Sequence, residues 1–100
     1  MTSESFLKIT VSELCEAEAI DETLIVQVVE YGIAEPLAGE NSQDWIFDPG
    51  SVHWLKKAVR LYHELEIDWV AVAMVIELLK QKEALLKENQ HLQEQLQRFL

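Results

Sequence analysis

Three histidines, one cysteine and an excess of carboxylates are the groups in this 100-residue chain with the capacity for chemistry. Metal binding needs ligands gathered at spacings such as HExxH or CxxC, and nucleophilic catalysis needs a nucleophile within reach of a base. His53, His63 and His91 meet neither requirement: His63 stands directly beside Glu64, which is not a ligand spacing, and no phosphate-cradling glycine loop is present. Cys15 falls on the apolar face of a helix-forming segment, where a small buried side chain is expected rather than a redox or metal centre. No catalytic residue, metal site, cofactor or enzymatic activity is therefore expected.

What the chain does carry is acid, unevenly placed. Between Lys8 and Lys56 lie 47 residues without Lys or Arg, holding ten carboxylates: Glu13, Glu16, Glu18, Asp21, Glu22, Glu30, Glu35, Glu40, Asp44 and Asp48. The formal net charge is −10; residues 80–100 contribute +1, which leaves −11 on residues 1–79. Such a field repels nucleic acid and anionic lipid and speeds encounter with a basic protein surface, although solubility alone also accounts for it. The one basic cluster is Lys56, Lys57 and Arg60. Three cations in an acidic domain support at best weak, salt-sensitive phosphate contacts, and a solvated face or an Arg60–Glu64 pair at i, i+4 accounts for them as well.

The elements that must position these groups read as mainly helical. Phe6, Leu7 and Ile9 form a short apolar approach, and Thr10 with Glu13 makes a capping box for a helix from Val11 to Ala19. Asp21 caps a second helix carrying Leu24, Ile25, Val28 and Val29, and Gly32 ends it. From Ile33 to Phe47 the helical period is lost; Ile33–Leu37 and Trp45–Phe47 are expected to pair as a small β-hairpin wing, with turns at Pro36, Gly39, Asn41 and Ser42. Asp48 before Pro49 starts a third helix that runs to Leu65 and buries Val52, Leu55, Val59 and Tyr62. The order is that of a winged helix-turn-helix, a fold that ordinarily grips DNA.

Asp68 then caps a last helix from Trp69 to Leu100, a rod of roughly 48 Å. Its first half is apolar nearly all round. In its second half Leu78, Leu85, Leu92 and Phe99 recur every seven residues beside Val75, Lys82, Asn89 and Leu96, the pattern of coiled-coil d and a positions. Dimerisation through Val75, Leu78, Leu85, Asn89, Leu92 and Leu96 is expected; a tail folded back on its own domain, or docked to a partner's helix, are the alternatives. The organisation expected is a winged helix-turn-helix domain over residues 1–68 and a dimerisation or partner-docking helix over residues 69–100. A lone cysteine, no signal-length apolar run after Met1, and no apolar run near the roughly 20 residues that span a bilayer predict a cytoplasmic protein with no membrane role.

The ordered residues resemble the MerR family of regulators. Arg60-Leu61-Tyr62-His63-Glu64-Leu65-Glu66-Ile67-Asp68-Trp69, preceded by Trp45-Ile46-Phe47-Asp48, resembles specifically the CbpM family of chaperone modulators, over nearly the whole chain. MerR regulators place arginines at the start of the second helix and in the wing; the matching positions here hold Glu22, Thr23, Val26 and Trp45, so DNA binding is not expected. The resemblance implies a small cytoplasmic protein that binds the J-domain of a CbpA-type, DnaJ-like co-chaperone and blocks both its stimulation of the DnaK chaperone and its DNA binding. J-domains offer a basic helix to an acidic patch on DnaK, so an acidic protein covering that helix competes for it. Glu64, Glu66 and Asp68, with Trp69 as anchor, are the expected partner contacts. A DNA-binding regulator acting through Lys56, Lys57 and Arg60, and a coiled-coil adaptor, remain the competing readings.

Overall fold

A computed structural model gives the fold of residues 8–99; the expectations placed on Phe6, Leu7 and Leu100 lie outside the described residues. The capping box forms, with Thr10 Oγ1 accepting from the Glu13 N–H at 3.1 Å and Glu13 Oε1 accepting from the Thr10 N–H at 2.9 Å. It opens helix α1 (Val11–Glu18), which Ala19 ends in the left-handed region at φ 55°. After this tight turn Asp21 accepts from the Thr23 N–H at 3.3 Å and starts α2 (Glu22–Glu30). The end of α2 uses Gly32 at φ 73°: its N–H reaches Val29 O and that of Ile33 reaches Val28 O, both at 3.0 Å. This pair of bonds is a Schellman stop, and its usual hydrophobic clasp is supplied by buried Val28 and Ile33.

The wing differs from the expected hairpin. Strand β2 (Ile46–Phe47) pairs antiparallel with β1 (Ile9–Thr10), in register Ile9 with Phe47 and Thr10 with Ile46. The Ile33–Leu37 side keeps only a bridge at Ala38, through Leu37 N–H to Ile46 O at 2.7 Å and Ile46 N–H to Ala38 O at 3.2 Å. Ile33 and Ala34 are buried as the clasp of α2 and are not available to a strand. Gly39, at φ 113°, lies so close to the Asp44–Trp45 backbone that an added Cβ would sit 2.5 Å from Asp44 O, which holds the loop tightly folded.

Helix α3 (Pro49–Leu65) begins as expected, with Asp48 Oδ1 accepting from the Ser51 N–H at 2.7 Å. That bond, with a second from the Ser51 hydroxyl, holds the Asp48 carboxyl below the usual carboxylate range. Helix α4 (Trp69–Phe99) is capped by Asp68, which accepts from the Ala71 N–H at 2.9 Å. The core is one cluster: Ile25 and Val28 of α2, Phe47 of β2, Leu55, Ala58 and Val59 of α3, and Trp69, Val72 and Ile76 of α4 are all buried. Each fully buried aliphatic or Phe contributes about 1.5–3 kcal/mol. Only the first two turns of α4 join that core; from Gln81 to Phe99 every residue is exposed.

Candidate protein-binding surface

The elbow between α3 and α4 gathers the signature residues. Glu66 takes the left-handed conformation at φ 52°, which turns the chain out of α3 and lets Asp68 cap α4 within three residues. Tyr62, His63, Glu66, Ile67 and Asp68 then line one groove, with Glu64 and Leu65 exposed beside it. Asp68 thus has both roles open to it at once: one carboxylate oxygen is a helix cap, while the side chain remains exposed.

Trp69 is placed differently from the expected surface anchor, being only 4% exposed. Its indole stacks on Tyr62 with centroids 4.2 Å apart and planes 8° from parallel, and on Tyr31 at 6.5 Å and 25°. The ring N–H donates to Gln27 Oε1 at 2.6 Å. A buried indole needs a partner for that N–H, and Gln27 supplies it from α2. Trp69 therefore ties the elbow to α2 and holds its neighbours in place without offering much surface of its own. Gln27 and Tyr31 were not singled out by sequence reasoning; the available signal was an amide and an aromatic four residues apart on one face of α2.

The same helix, α2, borders a second groove. Asp21, Glu22, Thr23, Val26 and Gln27 line this groove, which contains no cation. Glu22 is half-buried and accepts from the Ser42 hydroxyl at 3.4 Å, so the loop after α2 backs this acid. Gln27 borders this groove and bonds Trp69, while Trp69 stacks on Tyr62 of the elbow groove. The α2 face and the elbow are thus joined through one buried indole. Nearby Cys15 is half-buried, and burial followed by the charges of Glu22, Asp21 and Glu16 pushes its thiol pKa up. That keeps it a weak nucleophile at neutral pH.

The basic cluster lines an open groove of α3 with Lys56, Lys57 and Arg60, and two of the three also have contacts within the chain. Lys56 pairs with Glu18 at 3.3 Å, and Lys57 lies 5.9 Å from the centre of the Trp54 ring. Of the two accounts offered for the cluster, a solvated face and an Arg60–Glu64 pair, the pair does not form; Lys56–Glu18 is the ion pair found among the described residues. On α4 the apolar seam is uncovered: Leu78 63%, Leu85 65%, Leu92 51% and Leu96 63% exposed, with Val75 half-buried and Asn89 exposed. Val70 and Met74 carry the same uncovered stripe back toward the elbow.

A family model of the MerR HTH family regulatory proteins matches residues 9–94. The chaperone modulatory protein CbpM of Pseudomonas entomophila is 35% identical over 99 residues, covering 99% of this chain and 97% of the relative. That of Pseudomonas putida (strain F1) is 35% identical over 100 residues, covering 100% and 98%. That of Citrobacter koseri is 33% identical over 91 residues, covering 91% and 89%. This chain belongs to the CbpM family. CbpM relatives are described as chaperone modulatory proteins, a regulatory and not a catalytic description. The fold seen here is mainly helical, with a two-stranded sheet and a long C-terminal helix, over the residues that the MerR HTH family model matches. Among its described residues no helix is long and apolar enough to cross a membrane, and no group of three or more His, Cys, Asp or Glu is placed to hold a metal.

Proposed function

We propose that this CbpM-family chain binds the J-domain of a CbpA-type, DnaJ-like co-chaperone in the cytoplasm and inhibits its co-chaperone and DNA-binding activities by occupying it. The supporting observation is a pair of grooves, one on α2 and one at the α3–α4 elbow, each lined by two carboxylates and by no Lys or Arg, and linked beneath the surface through Trp69. Inhibition by occupation needs no chemistry at the site. It needs a surface that draws in a basic helix quickly and then holds it, the first by charge and the second by buried apolar contact. Glu64, Glu66 and Asp68 lie exposed for the first task, and Trp69 serves the second indirectly by fixing the aromatic neighbours.

The proposal includes a homodimer, with residues 69–100 as its docking helix and residues 1–68 as the partner-binding domain. Uncovered Leu78, Leu85, Leu92 and Leu96, with Val75 and Asn89 on the adjacent seam, favour a second copy. DNA reading through Lys56, Lys57 and Arg60 is disfavoured by the net charge of −11 on residues 1–79 that surrounds this one basic cluster.

Calorimetric titration of the full chain with a CbpA-type J-domain tests the reading. Micromolar or tighter binding at low salt, weakening as salt rises, is the expected result. Heat that stays at the dilution level up to tens of micromolar would sink it.

A further inference from the structure

We infer that the basic groove of α3 receives a short acidic segment of a protein, a few carboxylates beside an apolar residue. The inference goes beyond the J-domain reading and concerns a different surface.

Pro49, Val52, His53, Lys56, Lys57 and Arg60 line a single groove of about 380 Å³. Their spacing at three, four and seven residues along α3 puts them on one face of the helix. Residues 49–63 hold no Asp or Glu, in a chain that has 18. Like charges at i, i+3 and i, i+4, here Lys57 with Arg60 and Lys56 with Arg60, oppose one another on a helix surface. Folding gains nothing from that spacing, whereas an acidic ligand gains from all the cations together. His53, Lys56 and Arg60 are exposed and Lys57 is half-buried.

Glu18 indicates the chemistry of the occupant. Its carboxylate reaches Lys56 Nζ from α1 at 3.3 Å, with the Lys56 and Glu18 side chains 47% and 37% exposed. The groove thus already accepts a carboxylate, through an exposed pair weak enough for a competing acid to displace. Arg60 adds a planar fork able to hold a carboxylate by two N–H bonds. Pro49 and Val52 give the other end of the groove an apolar lining, which suits a protein side chain better than a phosphodiester. The length of the groove fits the same occupant. From Pro49 to Arg60 α3 rises about 16 Å, which an extended peptide crosses in about five residues. A nucleic-acid strand would run past these cations into a domain whose residues 1–79 carry −11.

The test is amide chemical-shift titration of the isotope-labelled full chain with an end-blocked peptide of alternating leucine and glutamate, just long enough to span the groove. Its glutamine counterpart and a short DNA duplex are titrated beside it. Shifts centred on Val52–Leu61 with the glutamate peptide are expected. Binding of the glutamine peptide, and of the glutamate peptide to the chain carrying Lys56→Gln with Arg60→Gln, is expected to be weaker by at least about fivefold. Both replaced side chains are exposed, so the variant keeps the fold, which circular dichroism checks. Glu18→Gln frees Lys56 and is expected to strengthen peptide binding about twofold, while Glu94→Gln, the same change of charge on the exposed α4 tail, leaves it unaltered. The acidic-segment site is overturned by an absence of shifts on α3 at about a millimolar peptide. Equal binding of the two peptides, full affinity in the double variant, equal effects of Glu18→Gln and Glu94→Gln, or tighter binding of the duplex overturns it as well.

Discussion

Glu66 sets the demands of the fold against those of the proposed surface, and replacing it with glycine separates them. At φ 52° the residue occupies a conformation that costs an ordinary L-residue roughly 1–2 kcal/mol and glycine almost nothing. Glycine also enlarges the entropy of the unfolded chain, which takes back about 0.5–1 kcal/mol. Glu66→Gly is therefore expected to stabilise the protein by about 0.5–1 kcal/mol, a rise in Tm of roughly 2–8 °C for a domain of this size. Ala19, at φ 55° in the turn after α1, is a matched control that carries no charge. Ala19→Gly is expected to give a similar gain. The two variants part company in stopped-flow association with a J-domain at low ionic strength: Glu66→Gly slows it by roughly twofold or more, Ala19→Gly leaves it unchanged, and added salt closes the gap. Melting must be compared at one protein concentration, because the stability of the proposed dimer would depend on it. No stability gain at Glu66 would refute the backbone reasoning, and a gain with an unchanged on-rate would remove Glu66 from the steering surface.

Trp69→Ala removes a buried ring and is expected to cost about 3–5 kcal/mol, a large part of a total near 5–15 kcal/mol; a double-mutant cycle in urea between Trp69→Phe and Gln27→Ala isolates the indole bond, with a coupling of about 1 kcal/mol expected and none if that bond is absent. Asp48→Ala is expected to cost about 1 kcal/mol at neutral pH through loss of the α3 cap. Because the folded pKa of Asp48 is lowered, the cap's stabilisation is full above the unfolded value of roughly 3.9 and fades as pH falls through the folded pKa, so denaturation midpoints of Asp48→Asn should converge on the parent below that range. Leu85→Asp with Leu92→Asp is expected to convert a dimer to a monomer in light scattering while leaving helix content in the domain; an unaltered mass would argue against the α4 seam.

Most of the helical frame was legible because its signals are local. Thr10 with Glu13, Asp21, Asp48 before Pro49, and Asp68 each satisfy free backbone donors within three residues, so the starts of all four helices follow from sequence alone. The partner of Ile46–Phe47 was not legible in the same way. Strand pairing is non-local, and Ile9–Thr10 is too short to show an alternating pattern that would distinguish it from the nearer Ile33–Leu37. The site was readable in part: the acids of the elbow are exposed as their type suggests, and the missing cations on α2 are plain in the sequence. Burial of Trp69 and its ties to Gln27 and Tyr31 depend on how α2, α3 and α4 cross, a relation across 42 residues in the case of the indole bond. Spacing within one helix holds no record of that crossing.

The central claim is that the α2 face and the α3–α4 elbow together receive the J-domain. Amide chemical-shift mapping of the isotope-labelled chain, titrated with unlabelled J-domain, tests it most directly. Perturbations concentrated on Glu22–Tyr31 and Tyr62–Trp69, with the indole N–H of Trp69 among them, are the predicted result. Perturbations confined to the Lys56–Arg60 face or to the α4 tail beyond Gln81 would contradict it.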